Sequence, residues 1–192
     1  MTTLPLTLKV AFVLIPIGLI IFLIGFCSPY WTYREIHTKP SGRIRTYMDG
    51  YVSYGLWTFC RDTEEYYDRQ TKSGLVKIDD CWSLVNNPGF SNAETRVAQF
   101  FETVGLLLVL ASTVLLVISL FVDSCKDRRI LPILSAVFCL SAAGTILLGT
   151  IIFGTADLHE RDLAWAFALA IVGGIIFAIA GVFIIVGAIL KK

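Results

Sequence analysis

Four long apolar runs dominate the chain, and they lie at residues 10–27, 100–122, 130–153 and 163–190. A helix needs roughly 20 apolar residues to cross the hydrocarbon core of a bilayer. A segment in lipid must also satisfy its own backbone hydrogen bonds, which a helix does within itself. The runs lack the alternation of apolar and polar residues that marks the strands of a transmembrane barrel. The pattern therefore predicts a membrane α-helical protein, a left-handed-type four-helix transmembrane bundle.

The predicted spans cover about 8–27, 98–122, 130–153 and 163–190. The first run is followed by "FCSPYW", which differs from the small-residue cleavage site of a secretory signal peptide. We therefore expect this run to be retained as a transmembrane anchor. The second span carries one acid, Glu102, near its start. An acid within a span is often functional, but we expect Glu102 to lie near the outer membrane boundary, where it can reach water or a partner, and we favour a structural hydrogen bond or ion pair.

The links between the spans differ in charge. The link 123–129 has three basic residues, whereas the link 154–162 has three acids and one Arg. The positive-inside rule then predicts that both termini and 123–129 are cytoplasmic. The polar stretch 28–97 and the link 154–162 are expected outside the cell, in a multi-pass protein of the plasma membrane.

The polar stretch 28–97 has the composition of β-strands. "WTYREIHT", "GRIRTYMDGYVSYGLWTFC" and "GLVKIDDCWSLV" are rich in β-branched and aromatic residues, and turn residues punctuate them at "KPSG", "MDG" and "KSG". They predict a small extracellular antiparallel β-sheet on the bundle. Farther along, "SNAETRV" predicts a helix that begins above the membrane and continues into the second span.

Two cysteines, Cys60 and Cys81, lie in the predicted extracellular segment. Because that compartment is oxidising, we expect a disulfide between them, the alternative being two free thiols. Three tryptophans of the same segment, Trp31, Trp57 and Trp82, have the amphipathic rings that suit either the membrane boundary or packing, and we favour packing.

The residues Trp31, Gly55, Leu56, Trp57, Cys60 and Cys81 form the pattern W…GLW-x2-C…C, which resembles the signature of the claudin superfamily. Trp82 and Arg96, just before the second span, also resemble claudins. The resemblance covers 1–192 as a single claudin-like domain. Two features depart from it: the cysteines are twenty residues apart, farther than is usual in claudins, and two residues follow the last span, without a PDZ-binding end.

The resemblance implies a structural and adhesive protein of cell–cell contacts. Such a protein forms a paracellular barrier or pore through its extracellular sheet and through lateral self-association. The superfamily also includes auxiliary subunits of channels and receptors, which is the alternative function. No Ser or Thr stands two residues after Asn86, Asn87 or Asn92, so this stretch lacks the glycosylation sequon common among those other members.

Claudins that pass cations place acids just after the first cysteine, which makes Asp62 and Glu64 the candidate pore-lining residues here. A ring of carboxylates favours cations through its negative potential. The alternative is a solvated, charge-balanced hairpin tip, because Arg61, Arg69 and Lys72 are close in sequence.

Two further features have both a structural and a functional interpretation. Cys125 follows the second span and is a candidate for lipidation or a plain thiol. In the fourth span, small residues recur every four positions and favour close helix packing, either within the bundle or between copies. These residues are Ala166, Ala170, Gly174 and Ala178.

Composition and motifs argue against two further classes of function, nucleic-acid binding and catalysis. The chain is 56% hydrophobic and 16% charged, with a formal net charge of +1, so it has no basic field for nucleic acid. His37 and His159 have no catalytic motif beside them. We therefore expect that the protein is not an enzyme and that it binds no metal and no cofactor. The expected partners are the lipid bilayer and either further copies of the chain or a larger channel or receptor.

Overall fold

The computed structural model describes residues 5–38, 47–66, 74, 76–85, 92–122, 130–156 and 162–190. Four helices and five strands follow one another along these residues. The helices are α1 (Leu6–Cys27), α2 (Ala93–Phe121), α3 (Ile130–Ala156) and α4 (Trp165–Leu190). The strands are β1 (Thr32–Thr38), β2 (Tyr47–Tyr54), β3 (Thr58–Tyr66), β4 (Val76–Ser83) and β5 (Asp162–Leu163).

All four helices are long and apolar enough to cross a membrane. Large hydrophobic side chains on each helix point outward, Ile20 and Leu107 among them, each about 60% exposed. A soluble protein rarely leaves apolar surface of this extent uncovered. The chain is a multi-pass membrane protein, and the prediction of four transmembrane helices is confirmed.

Buried side chains recur with a seven-residue repeat along the helices. In α1 the buried positions are Leu8, Ala11, Ile15, Gly18, Phe22 and Gly25. In α2 they are Ala98, Glu102, Gly105, Val109, Ser112, Leu116 and Ser119. Steps that alternate between three and four residues are the pattern of left-handed supercoiled packing. The helices pack in the order α2–α3–α4–α1, and α1 contacts α2 far less than it contacts α4.

The five strands form one antiparallel sheet in the order β4-β3-β2-β1-β5. It stands at the end of the bundle where α1 ends and α2 begins. The prediction of a small antiparallel sheet on a four-helix bundle is confirmed. One predicted turn is wrong, because "MDG" lies inside β2. Gly50 there allows β3 to come close, since a Cβ on it would lie 2.6 Å from the Cα of Thr63.

Candidate functional site

The sheet is joined to the bundle through Trp31. Its side chain is fully buried, and its Nε1 donates a hydrogen bond to the carbonyl oxygen of Gly25 at 2.7 Å. The indole packs edge-to-face against two rings, with centroid distances of 4.9 Å to Phe153 of α3 and 5.9 Å to Phe167 of α4. The backbone of Trp31 accepts from Ala164 and donates to Tyr54. One residue thus ties three helices to the sheet, which is a packing role rather than a place at the membrane boundary.

The Gly55-Leu56-Trp57 segment forms the turn between β2 and β3. A Cβ on Gly55 would lie 2.6 Å from the Cα of Pro29 and would also collide with the carbonyl oxygen of Ser28. Gly55 therefore allows this turn to rest directly on the chain leaving α1. Leu56 is fully buried, and its carbonyl oxygen accepts a 2.6 Å hydrogen bond from Nε2 of Gln99 in α2.

The other residues of the signature lie around this joint. The Trp57 ring packs at 5.2 Å from Phe26 of α1. Trp82 stacks on Phe59 at 5.6 Å, within a small apolar cluster on the sheet. Arg96 is exposed in the first turns of α2. Trp31 and Trp57 thus pack the sheet against the helices, whereas Trp82 packs within the sheet.

Cys60 and Cys81 form a disulfide. They are directly opposite each other in the antiparallel pair β3–β4, with their Cα atoms 4.1 Å apart. Beyond the disulfide the two strands continue to pair as far as Glu65 and Val76. The twenty residues between the cysteines therefore include a hairpin that extends past the cross-link.

One face of the sheet carries a concentration of acids. Side chains alternate between the two faces of a strand, and the strand register sets which residues share a face. Among strands β1 to β4, the acids on this face, here called the acidic face, are Glu35 of β1, Asp49 of β2, Asp62 and Glu64 of β3, and Asp79 of β4. Lys77 and His37 are the basic side chains that share it in the described strands. Asp62 and Glu64 thus lie among other carboxylates.

Asp62 and Glu64 lie within β3, whereas the alternative of a charge-balanced hairpin tip depends partly on residues outside the described part and stays a prediction. Arg61 lies on the opposite face, where its Nη2 pairs with Oε1 of Glu65 at 3.0 Å. The cation next to Asp62 is Lys77, at 3.5 Å between Nζ and Oδ1. Arg69 and Lys72 lie outside the described residues. The acidic face therefore keeps a net negative charge.

His37 sits between two acids of this face. Its Nδ1 lies 3.0 Å from Oδ1 of Asp49, and its Nε2 lies 3.4 Å from Oε2 of Glu35. The hydrogen bond with Asp49, and then the one with Glu35, raise the pKa of His37 above its ordinary value. The hydroxyl of Tyr66 donates to the other oxygen of Asp49. Asp49 is thus held from both sides.

The acidic face borders a shallow cavity of about 270 Å³ lined by His37, Asp49, Gly50, Tyr51, Asp62, Glu64 and Lys77. Within the described residues, no group of three or more His, Cys, Asp or Glu side chains is placed to hold a metal ion. The carboxylates are spread along several strands instead of converging on one point. Such an arrangement produces a negative field over a surface rather than a coordination site.

The small residues of the fourth span lie mostly inside the bundle. Ala166 and Ala170 face α1, because a Cβ on Gly25 would lie 2.8 Å from the Ala166 carbonyl oxygen and 3.0 Å from the Ala170 nitrogen. Gly174 faces Ile146 and Leu147 of α3. Ala178 is partly buried, since a four-residue step drifts away from the seven-residue repeat.

Glu102 differs from its expected environment. Its side chain is fully buried, and neither carboxyl oxygen has a hydrogen-bond partner within the described structure. The expectation that it reaches water or a partner is wrong, because α2 turns it toward α3. Cys125, the candidate lipidation site, lies outside the described residues.

Sequence reasoning found two acids of the acidic face and missed Glu35, Asp49 and Asp79. The sequence does indicate which side chains of one strand share a face, because residues two apart, such as Glu35 and His37 or Asp79 and Lys77, point to the same side. What was missing was the register between strands. Because a turn was predicted at "MDG", Asp49 was not assigned to a strand.

A scan against models of protein families gives no match for this chain. A search of curated proteins finds no significant match either.

Proposed function

We propose that this protein is a claudin-like component of cell–cell contacts and that its acidic face conditions the passage of cations between cells. The observation that carries the proposal is the acidic face itself. It brings together Asp62 and Glu64 with three further carboxylates, while Arg61 is turned to the opposite face. The proposed location is the plasma membrane, with the sheet outside and both termini inside.

The field of this face favours cations. Two unit charges about 8 Å apart in water interact by about 0.5 kcal/mol, which is roughly a twofold change in local ion concentration. At physiological ionic strength the field extends about 8 Å from each carboxylate. Neighbouring acids of adjacent strands are closer together than that, so their fields overlap and attract small cations along the strands.

The disulfide supports the proposed sidedness. Disulfides persist on the oxidising side of a membrane, and Cys60 and Cys81 are in the sheet. This chemistry favours an outer position for the sheet. The charge of the link 123–129 favours a cytoplasmic position for the end of the bundle where α2 ends and α3 begins.

The wide spacing of the cysteines is compatible with the resemblance to claudins. Cys60 remains directly opposite Cys81, so the additional residues lengthen the hairpin beyond the disulfide. The pairs closest to the disulfide carry Asp62, Glu64 and Asp79.

The test is ion permeability across an epithelial monolayer that expresses this chain and lacks related proteins. We expect the wild type to raise the permeability of Na⁺ relative to Cl⁻, as measured by dilution potentials. The variant D62N/E64Q removes two charges from the acidic face and should lower the ratio about fivefold, since two interactions of about 0.5 kcal/mol are lost.

The matched control is E65Q/D80N, which removes one acid of β3 and one of β4 from the opposite face. We expect this control to keep the wild-type ratio. An equal effect of both double variants would contradict a role for the acidic face. Contacts without intramembrane strands in freeze-fracture images, despite normal delivery to the surface, would instead favour the auxiliary subunit of a channel or receptor.

A further inference from the structure

Glu102 lies at the seam between α2 and α3, inside the bundle. It belongs to the buried seven-residue repeat of α2, between Ala98 and Gly105. Three residues earlier, Gln99 donates a hydrogen bond to the carbonyl oxygen of Leu56 at the base of the sheet. At 1.5 Å per residue, Glu102 is therefore about 4.5 Å deeper in the bundle than this contact.

Glycines bring the two helices together at this seam. A Cβ on Gly149 of α3 would lie 2.9 Å from Oε1 of Glu102. A Cβ on Gly105 of α2 would lie 2.5 Å from the side chain of Ile146. The carboxyl group is thus packed against the backbone of the neighbouring helix and leaves no space for a large counter-ion.

Among the described residues of the four helices, no cation is placed to balance Glu102. The sequences 130–156 and 165–190 contain no Asp, Glu, His, Lys or Arg. In α1 the charged residue is Lys9, at the end far from the sheet. In α2 the other charged residues are Glu94 and Arg96, both exposed in its first turns.

We propose that Glu102 is a proton-binding site: its neutral carboxylic acid holds α2 against α3, and release of the proton opens this seam. Three geometric features support this role: complete burial of Glu102, two carboxyl oxygens without a hydrogen-bond partner among the described residues, and the close approach of Gly149. Burying a charge without a counter-ion is far more costly than burying a neutral acid. Because Gln99 is one turn before Glu102 in α2, opening the seam also loosens the hydrogen bond between Gln99 and Leu56. Protonation of Glu102 therefore affects how firmly the sheet is attached to the bundle.

The proton on Glu102 can be observed by infrared spectroscopy of the wild-type protein in lipid at neutral pH. A protonated carboxylic acid has a carbonyl stretching band well separated from the carboxylate bands. We expect one such band, and we expect it to shift when glutamate is labelled with ¹³C in the carboxyl group. This measurement needs no substitution, so it holds even if a variant fails to fold. A folded wild type without a glutamate acid band overturns the proposal.

Variants then assign the band and test the coupling. E102Q should abolish it, whereas the matched control E94Q, an exposed acid of the same helix, should leave it in place. If opening of the seam releases one proton, the equilibrium constant between the closed and the open seam changes by up to tenfold per pH unit. Since the neutral form is the packed one, thermal stability of the wild type should fall as pH rises, relative to E102Q. Parallel pH profiles of the two proteins overturn the proton-dependent seam.

Discussion

Arg61 and Asp62 are neighbours in β3, but their side chains lie on opposite faces of the sheet. Arg61 pairs with Glu65 on one face, and Asp62 is directly opposite Asp79 on the other. The strand therefore separates charges that are adjacent in the sequence. The negative charge of the acidic face follows from this separation. A substitution of one of its acids leaves the charges of the opposite face unchanged.

The role of Lys77 can be tested by removing its charge. K77Q should raise the permeability of Na⁺ relative to Cl⁻ about twofold, because one positive charge beside Asp62 is lost. The measurement is the dilution potential of an expressing monolayer. R61Q is the matched control, since Arg61 lies on the opposite face; a similar increase in R61Q would contradict a face-specific effect.

The pKa of His37 should depend on Asp49. The hydrogen bond with Asp49 is the first cause that raises this pKa, so D49N should lower the pKa toward its ordinary value near 6.5. E35Q should lower it less. NMR titration of ¹³C-labelled histidine measures the pKa, and H37Q assigns the signal because the chain has two histidines. An unchanged pKa in D49N would show that the hydrogen bond does not form.

The same protonation sets a pH dependence of selectivity. His37 gains a positive charge on the acidic face as pH falls through its pKa. The preference for cations should therefore be greatest above this pKa and should decrease below it. Dilution potentials over this pH range measure the effect, and H37Q should remove the part that depends on His37. A wild-type profile identical to that of H37Q would contradict the prediction.

Gly55 should not tolerate a side chain. G55A places a methyl group against Ser28 and Pro29, and overpacking of this kind costs about 1–3 kcal/mol or more. The control is G144A in α3, because a Cβ on Gly144 meets nothing within 4 Å. Thermal unfolding in lipid should show a lower midpoint for G55A and a near wild-type midpoint for G144A. Equal midpoints would mean that the turn moves away from α1 at little cost.

Trp31 should contribute more to stability than the exposed Trp165. W31F removes the hydrogen bond to Gly25 and part of the packing against Phe153, which together amount to about 2–4 kcal/mol. W165F changes a ring that is 53% exposed and should have a small effect. The free energy of unfolding of both variants tests the comparison. A similar loss in the two would contradict the central position of Trp31.

The four helices were predictable from the sequence because lipid demands long uninterrupted apolar runs. β5 was not, since two residues are too short to show a period. It forms because α3 and α4 bring Asp162 and Leu163 beside β1. The start of α2 at Ala93 agrees with the prediction of a helix that begins before its span.

The candidate site was predictable in part. Cys60 and Cys81 were expected to pair, and they do. The two acids beside Cys60 were identified, but the acids of other strands depend on a register that a single strand does not encode. The environment of Glu102 depends on how closely Gly149 lets α3 approach, which is a property of two helices together.

The seven-residue repeat of buried positions limits how this chain can change in length. Each added residue turns the rest of a helix by about 100°, so one insertion within α2 would turn the side chains beyond it away from α3. Residues added in pairs to the β3–β4 hairpin beyond Cys60 and Cys81 leave every existing pair in place. Length variation among descendants of this chain is therefore expected in the hairpin, with the helices kept at constant length.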